Sequence, residues 1–131
     1  SLFVISYYKG SSKLCCQINN ILNIELKRDD DIKIRDDEGI VLKSHSIFNF
    51  HDFNSLIDYS LISNKSENGV LVKEFPTVDY FFRLSGNTSE STITDIISKL
   101  KSNKDILMIQ KITENPSNKK TTNALRIFSA L

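Results

Sequence analysis

From Val78 to Leu84 the chain reads Val-Asp-Tyr-Phe-Phe-Arg-Leu. Side chains of a strand alternate between its two faces, so Tyr80, Phe82 and Leu84 share one face, while Val78 and Phe81 occupy places on alternating sides. A strand that is apolar on both faces belongs in the middle of a sheet, buried. Pro76, just upstream, has no N–H to give to a ladder. It therefore places a turn or an edge between this strand and Val70-Leu71-Val72, which reads as a second one. Asp79 stands against the pattern. A carboxylate in a buried strand must be paired or accept backbone N–H bonds, since leaving it alone is costly. The expectation is a buried Asp79 that fixes the register between strands.

The remaining elements follow from periodicity. Residues 2–8 mix β-branched and aromatic side chains and read as a strand, broken at Lys9-Gly10-Ser11. Ser11 or Ser12 can cap a helix running to about Asn23, with Leu14, Cys15, Ile18, Ile21 and Leu22 on one apolar stripe. Ile32 and Ile34 alternate with Lys33 and Arg35 as a short strand, and Asp36-Asp37-Glu38-Gly39 makes a turn. Residues 40–50 and 55–63 are expected as strands of an antiparallel meander, and 64–69 as a loop. Thr92 to Lys101 carries Ile93, Ile96, Ile97 and Leu100 on one helical face. Ile106-Leu107-Met108-Ile109 is a final strand, Asn115-Pro116-Ser117 a break, and residues 121–131 hold a short helix. The order is β-α-β-β-β-β-β-α-β-α with about three helices. Strands in a run and helices grouped outside it define an α+β fold with a mainly antiparallel sheet. At 131 residues the chain is one domain, 1–131.

The composition excludes more than it assigns. No apolar run approaches the 18 residues or so of a membrane span. The two cysteines, Cys15 and Cys16, are adjacent, which excludes a disulfide-stapled domain and a paired-cysteine metal site. Reduced thiols in a cytoplasmic protein are the plain reading, with Cys15 in the core. Four isolated glycines, Gly10, Gly39, Gly69 and Gly86, cannot build a phosphate-cradling loop, and no cofactor is implied. His45 and His51 would share a face of an uninterrupted strand, with Asp52 beside them, but solvated histidines explain them better than an acid–base or metal pair. Asp29–Asp31 and Asp36–Glu38 lack the spacing of a calcium loop and read as solvated charge. No catalytic constellation emerges, so an enzyme is the weakest class. Charge is uneven: residues 1–98 hold 10 basic and 14 acidic side chains, and 99–131 hold 7 and 2. Lys111, Lys119, Lys120 and Arg126 in that basic third are the candidates for contact with RNA phosphates or an acidic partner.

The string VLVKEFPTVDYFFRL over residues 70–84 resembles the signature of the IPExxxVDY family, small proteins of Bacteroidetes defined by that motif. Val72, Lys73 and Glu74 stand at its Ile-Pro-Glu, and Val78, Asp79 and Tyr80 match its Val-Asp-Tyr. Lys73 replaces the proline and Val72 the isoleucine. The first 26 residues are similar to the family's N-terminal strand and helix, and Pro116, Ser117, Lys119 and Asn123 to its tail. The resemblance implies a short further segment before Ser1 and no particular activity. Val72, Glu74, Val78, Asp79 and Tyr80 are thus candidates for a structural or interaction role, with Glu74 expected to cap the Pro76 turn. The function expected is a non-catalytic cytoplasmic interaction or assembly subunit, with a protein partner. An RNA-associated accessory protein is the alternative.

Overall fold

In the computed structural model, which describes residues 1–113 and 119–129, the two-faced strand is β9, Tyr80–Gly86. It lies between β1 (Leu2–Ser6) and β6 (Ile57–Ser63), antiparallel to both. The sheet continues outward through β5 (Ile47–Asp52) to the two-residue β2 (Lys27–Arg28) on one side, and ends at β10 (Met108–Ile112) on the other. Its order is β10-β1-β9-β6-β5-β2, and every pairing is antiparallel. Two small hairpins stand apart, β3 (Ile32–Arg35) with β4 (Val41–His45), and β7 (Lys65–Ser66) with β8 (Gly69–Val70).

Both faces of the sheet are covered. On one, Phe3, Ile5, Tyr80, Phe82 and Leu84 pack with Leu14, Cys15 and Ile18 of α1 (Ser11–Leu22) and Ile96, Ile97 and Leu100 of α2 (Glu90–Lys101). On the other, Leu2, Val4, Ile62 and Phe81 pack with Val72, Val78, and Ala124 and Phe128 of α3 (Lys119–Ser129). Phe81 and Phe82 are both fully buried, one in each core. Each such side chain contributes about 1.5–3 kcal/mol by leaving water.

The α+β architecture agrees with the sequence reading. Five strands longer than two residues separate α1 from α2. Several boundaries differ for local reasons. Neither Ser11 nor Ser12 caps α1: Gly10 does, at φ 99°, where an L side chain rarely goes, and no side chain bonds the first turn. The segment read as one strand over 40–50 splits at Ser46, because β4 turns away to pair with β3 while β5 stays in the main sheet. Val70-Leu71-Val72 is a strand only through Val70, after which the chain turns. Val72 is fully buried by position in a loop, not by ladder pairing. The last strand starts at Met108, two residues later than read. By contrast α2 ends as its sequence indicates, and Ser89 caps it by accepting the Thr92 N–H. Among the described residues no helix is long and apolar enough to cross a membrane.

Candidate functional site

The motif residues gather where the 71–79 loop closes over the second core. Asn64, fully buried and placed by the sequence reading in a plain loop, holds that loop from inside. Its side-chain amide donates to the carbonyls of Phe75 (2.7 Å) and Val78 (2.8 Å), and its oxygen accepts the Val72 N–H (3.0 Å). Its backbone N–H donates to the Asp79 carbonyl at 2.9 Å, and its carbonyl accepts the Leu71 N–H at 2.7 Å. One residue thus satisfies five groups of a segment that has no ladder. Only a side chain with donors and an acceptor on one rigid plane can do so. No periodicity in the sequence could have marked it.

Asp79 lies one residue before β9, not within it. One carboxylate oxygen accepts the Tyr7 N–H at 2.9 Å, and the other meets Lys65 Nζ at 2.7 Å. Its side chain keeps 25% exposure, so it is half-buried. It completes the end of the β1–β9 ladder, whose last pair is Ile5 with Tyr80, and does not lock a central register. Glu74 does not cap the Pro76 turn. It accepts from the Asn123 amide at 2.7 Å, and Asn123 in turn accepts from Arg126 at 2.8 Å. The Asn123 hydrogen bond, aided by the charges of Lys73 and Arg126, holds the Glu74 carboxyl below the ordinary carboxylate range. The motif is therefore a set of fasteners: Val72, Val78 and Tyr80 fill cores, Glu74 ties α3 to the loop, and Asp79 ties the loop to β1.

The two basic candidates whose side chains are described do not converge. Lys111 lies on the face covered by α2, whereas Arg126 belongs to α3 on the opposite face. The side chains of Lys119 and Lys120 lie outside the described residues, as do Pro116 and Ser117. Phe81 and Phe82 are buried and offer no stacking surface to a base.

The histidines separate as well. His51 on β5 bonds Asp58 across the strand pair at 2.6 Å and meets the edge of exposed Phe53. Asp52 instead accepts the Asn54 N–H in the following turn. His45, expected in solvent, is fully buried, because β4 drops it beneath the root of its hairpin. Its Nδ1 lies 3.1 Å from the Ser63 carbonyl, so that nitrogen carries the proton, and the buried Nε2 has no hydrogen-bond partner among the described residues. Burial pushes its pKa down, opposed in part by the Ser63 carbonyl. Cys15 is buried and Cys16 exposed, both free. Asp31 pairs with Arg28 at 2.7 Å and accepts from Ser44 at 2.9 Å, and Asp36 accepts two N–H groups of its own turn. Among the described residues no cluster of His, Cys, Asp or Glu is arranged to hold a metal ion.

No family model matches the chain, and neither a curated protein nor a solved structure does.

Two predictions follow from this geometry. Asp79→Ala orphans the Tyr7 N–H and is expected to lose about 1–3 kcal/mol of stability in urea melts. Asp79→Asn keeps an acceptor there and loses a partly exposed ion pair worth about 0–1 kcal/mol, so it is the milder change. An alanine variant as stable as the wild type contradicts the fastener role. For His45, the unfolded imidazole titrates near about 6.5 and the folded one lower, so the unfolded chain takes up the proton first as pH falls. Stability is complete above about pH 6.5 and declines as pH drops toward the folded value. Urea melts from pH 7.5 down to about 5.5 are expected to show this loss in the wild type and a shallower one in His45→Gln. Equal slopes refute it.

Proposed function

We propose that this chain is a non-catalytic interaction or assembly subunit that binds a protein partner through its projecting β3–β4 hairpin. The supporting observation is the exposure of Ile40, Val41 and Leu42 on that arm, at 57%, 41% and 47%. Three consecutive apolar side chains held in water are a liability on a folded surface unless they serve a contact. A two-stranded hairpin is marginal by itself. This one is braced at its root by Lys43, which donates to the Val70 carbonyl at 2.9 Å, and by Asn68, which donates to the Leu42 carbonyl at 3.1 Å. The turn is ordered too: Arg35 donates to the Gly39 carbonyl, and Asp36 accepts from Glu38 and Ile40. A preformed arm loses little entropy on binding. Its acidic tip, Asp37 and Glu38, suits an apolar patch with a basic rim.

The likeness to the IPExxxVDY signature accords with this reading, since those residues hold the fold and leave the arm free to bind. The free thiols, Cys16 exposed among them, accord with a reducing, cytoplasmic setting. The RNA alternative has no comparable support, because Lys111 and Arg126 lie on opposite faces of the sheet.

Affinity capture from a lysate of the source organism, treated with nuclease, tests the proposal. The wild type is expected to retain a stoichiometric protein. Ile40→Ser with Leu42→Ser should lose it while stability stays within about 1 kcal/mol, as for other exposed sites. Capture that survives the double variant, or that vanishes with nuclease alone, contradicts it.

A further inference from the structure

The two edges of the main sheet are unequal. On one side β2 is two residues long, Lys27 and Arg28, both exposed. Short charged edges of that kind resist further pairing. On the other side β10 runs five residues and pairs only with β1 among the described residues. Leu107 and Met108, at its start, are exposed, at 64% and 39%. Such an edge presents a row of unpaired N–H and C=O groups to any extended chain.

Beside this edge runs a groove of about 320 Å³ between β10 and α2. Ile93 of α2 is the half-buried apolar side chain on it, with Phe3 and Ile97 buried at its floor, and Lys101 on α2 and Lys111 on β10 stand along it. Neither lysine is held in an ion pair among the described residues, whereas Lys99, two residues away on α2, is occupied by Asp95 at 3.1 Å. Glu90, in the first turn of α2, is the one acid along the groove among the described residues. The α2 residues that border it extend from Glu90 to Lys101, a rise of about 16 Å at 1.5 Å per residue. From Met108 to Ile112 the strand advances about 14 Å. Helix groove and strand edge are therefore of similar length.

We propose that β10 takes an extended acidic peptide segment of a partner protein as an added strand, with alternate side chains entering the α2 groove. This rests on reading the chain as an interaction protein, and it names a second contact surface and the chemistry that surface accepts. Main-chain hydrogen bonds to β10 supply affinity, and the groove supplies selection, as in strand addition generally. Alternation sends every second side chain of the incoming strand toward Lys101 and Lys111. Asp or Glu at those places meets the two lysine charges. A second copy of β10 is the poorer occupant. It would bring another Lys111 and Lys101 to the same seam, and β10 itself, Met-Ile-Gln-Lys-Ile, carries no acid to meet them.

The test uses the whole chain and synthetic probes of about seven residues, long enough to span the edge. One alternates Val with Glu, a second has Lys in place of Glu, and a third is the acidic peptide with alternate backbone amides N-methylated. The acidic peptide is expected to bind in fluorescence anisotropy and to weaken with added salt. It should also protect β10 amides from hydrogen exchange. Binding should fall about tenfold or more in Lys101→Glu with Lys111→Glu, and likewise for each of the other two peptides. Equal binding of the acidic and lysine peptides refutes the charge selection, and equal binding of the N-methylated peptide refutes the added strand. Self-association through β10 that excludes the peptide, seen by sedimentation, makes the second copy the occupant and overturns the proposal. Failure of the peptide with hairpin-dependent partner capture intact would sink the edge alone. Peptide binding without any captured protein would sink the hairpin reading alone.

Discussion

Everything in this molecule hangs on β9 being buried from both sides while paired on both edges. Its backbone is satisfied by β1 and β6, and its side chains feed two cores, Tyr80, Phe82 and Leu84 to one and Phe81 to the other. Neither core could form without the other, because a sheet face left bare would expose Phe81 or Phe82 to water. The pairing is also distant in sequence: β1 meets β9 and β10 only after most of the chain has been made. Folding must close those long loops before the hydrophobic gain is realised, which favours slow, cooperative assembly.

The second core asks for more than apolar surface. Its lid is an irregular loop, and irregular backbone over a core carries polar groups that need partners. Asn64 meets that need from below, Asp79 fastens the loop's end to the Tyr7 N–H just after β1, and Glu74 carries the tie upward to Asn123 on α3. The string Val78-Asp79-Tyr80 thus serves the fold, Val78 and Tyr80 by filling the two cores and Asp79 by accepting the Tyr7 N–H. The proposed recognition surfaces, the β3–β4 arm and the β10 edge, are what the fasteners leave outside.

How much of this was legible depended on whether the cause was local. The stripe of Leu14, Cys15 and Ile18, the face of Ile93, Ile96, Ile97 and Leu100, and the alternation of Tyr80 to Leu84 are set by period alone, and each formed the element its spacing indicates. Val72 misled because its burial comes from the loop's position against α3, which mimics the burial of a strand. Ser46 gave no warning that one apolar stretch would serve two sheets. Gly10 displaced two good capping serines because the chain must swing sharply from β1 into α1. Asn64 and His45 were opaque for the same reason. A polar residue reads as solvent-facing until the tertiary partners that satisfy it, or fail to, are known. Of the candidate site, the motif's position was visible in the sequence, and its work as a fastener was not.

Native-state hydrogen exchange bears most directly on the central place of β9. The amides of Phe81 and Phe82 are predicted to be among the slowest, exchanging only through global unfolding, and those of the β3–β4 hairpin among the fastest. Phe81 and Phe82 amides that exchange through local opening, as quickly as those of the hairpin, would contradict the account.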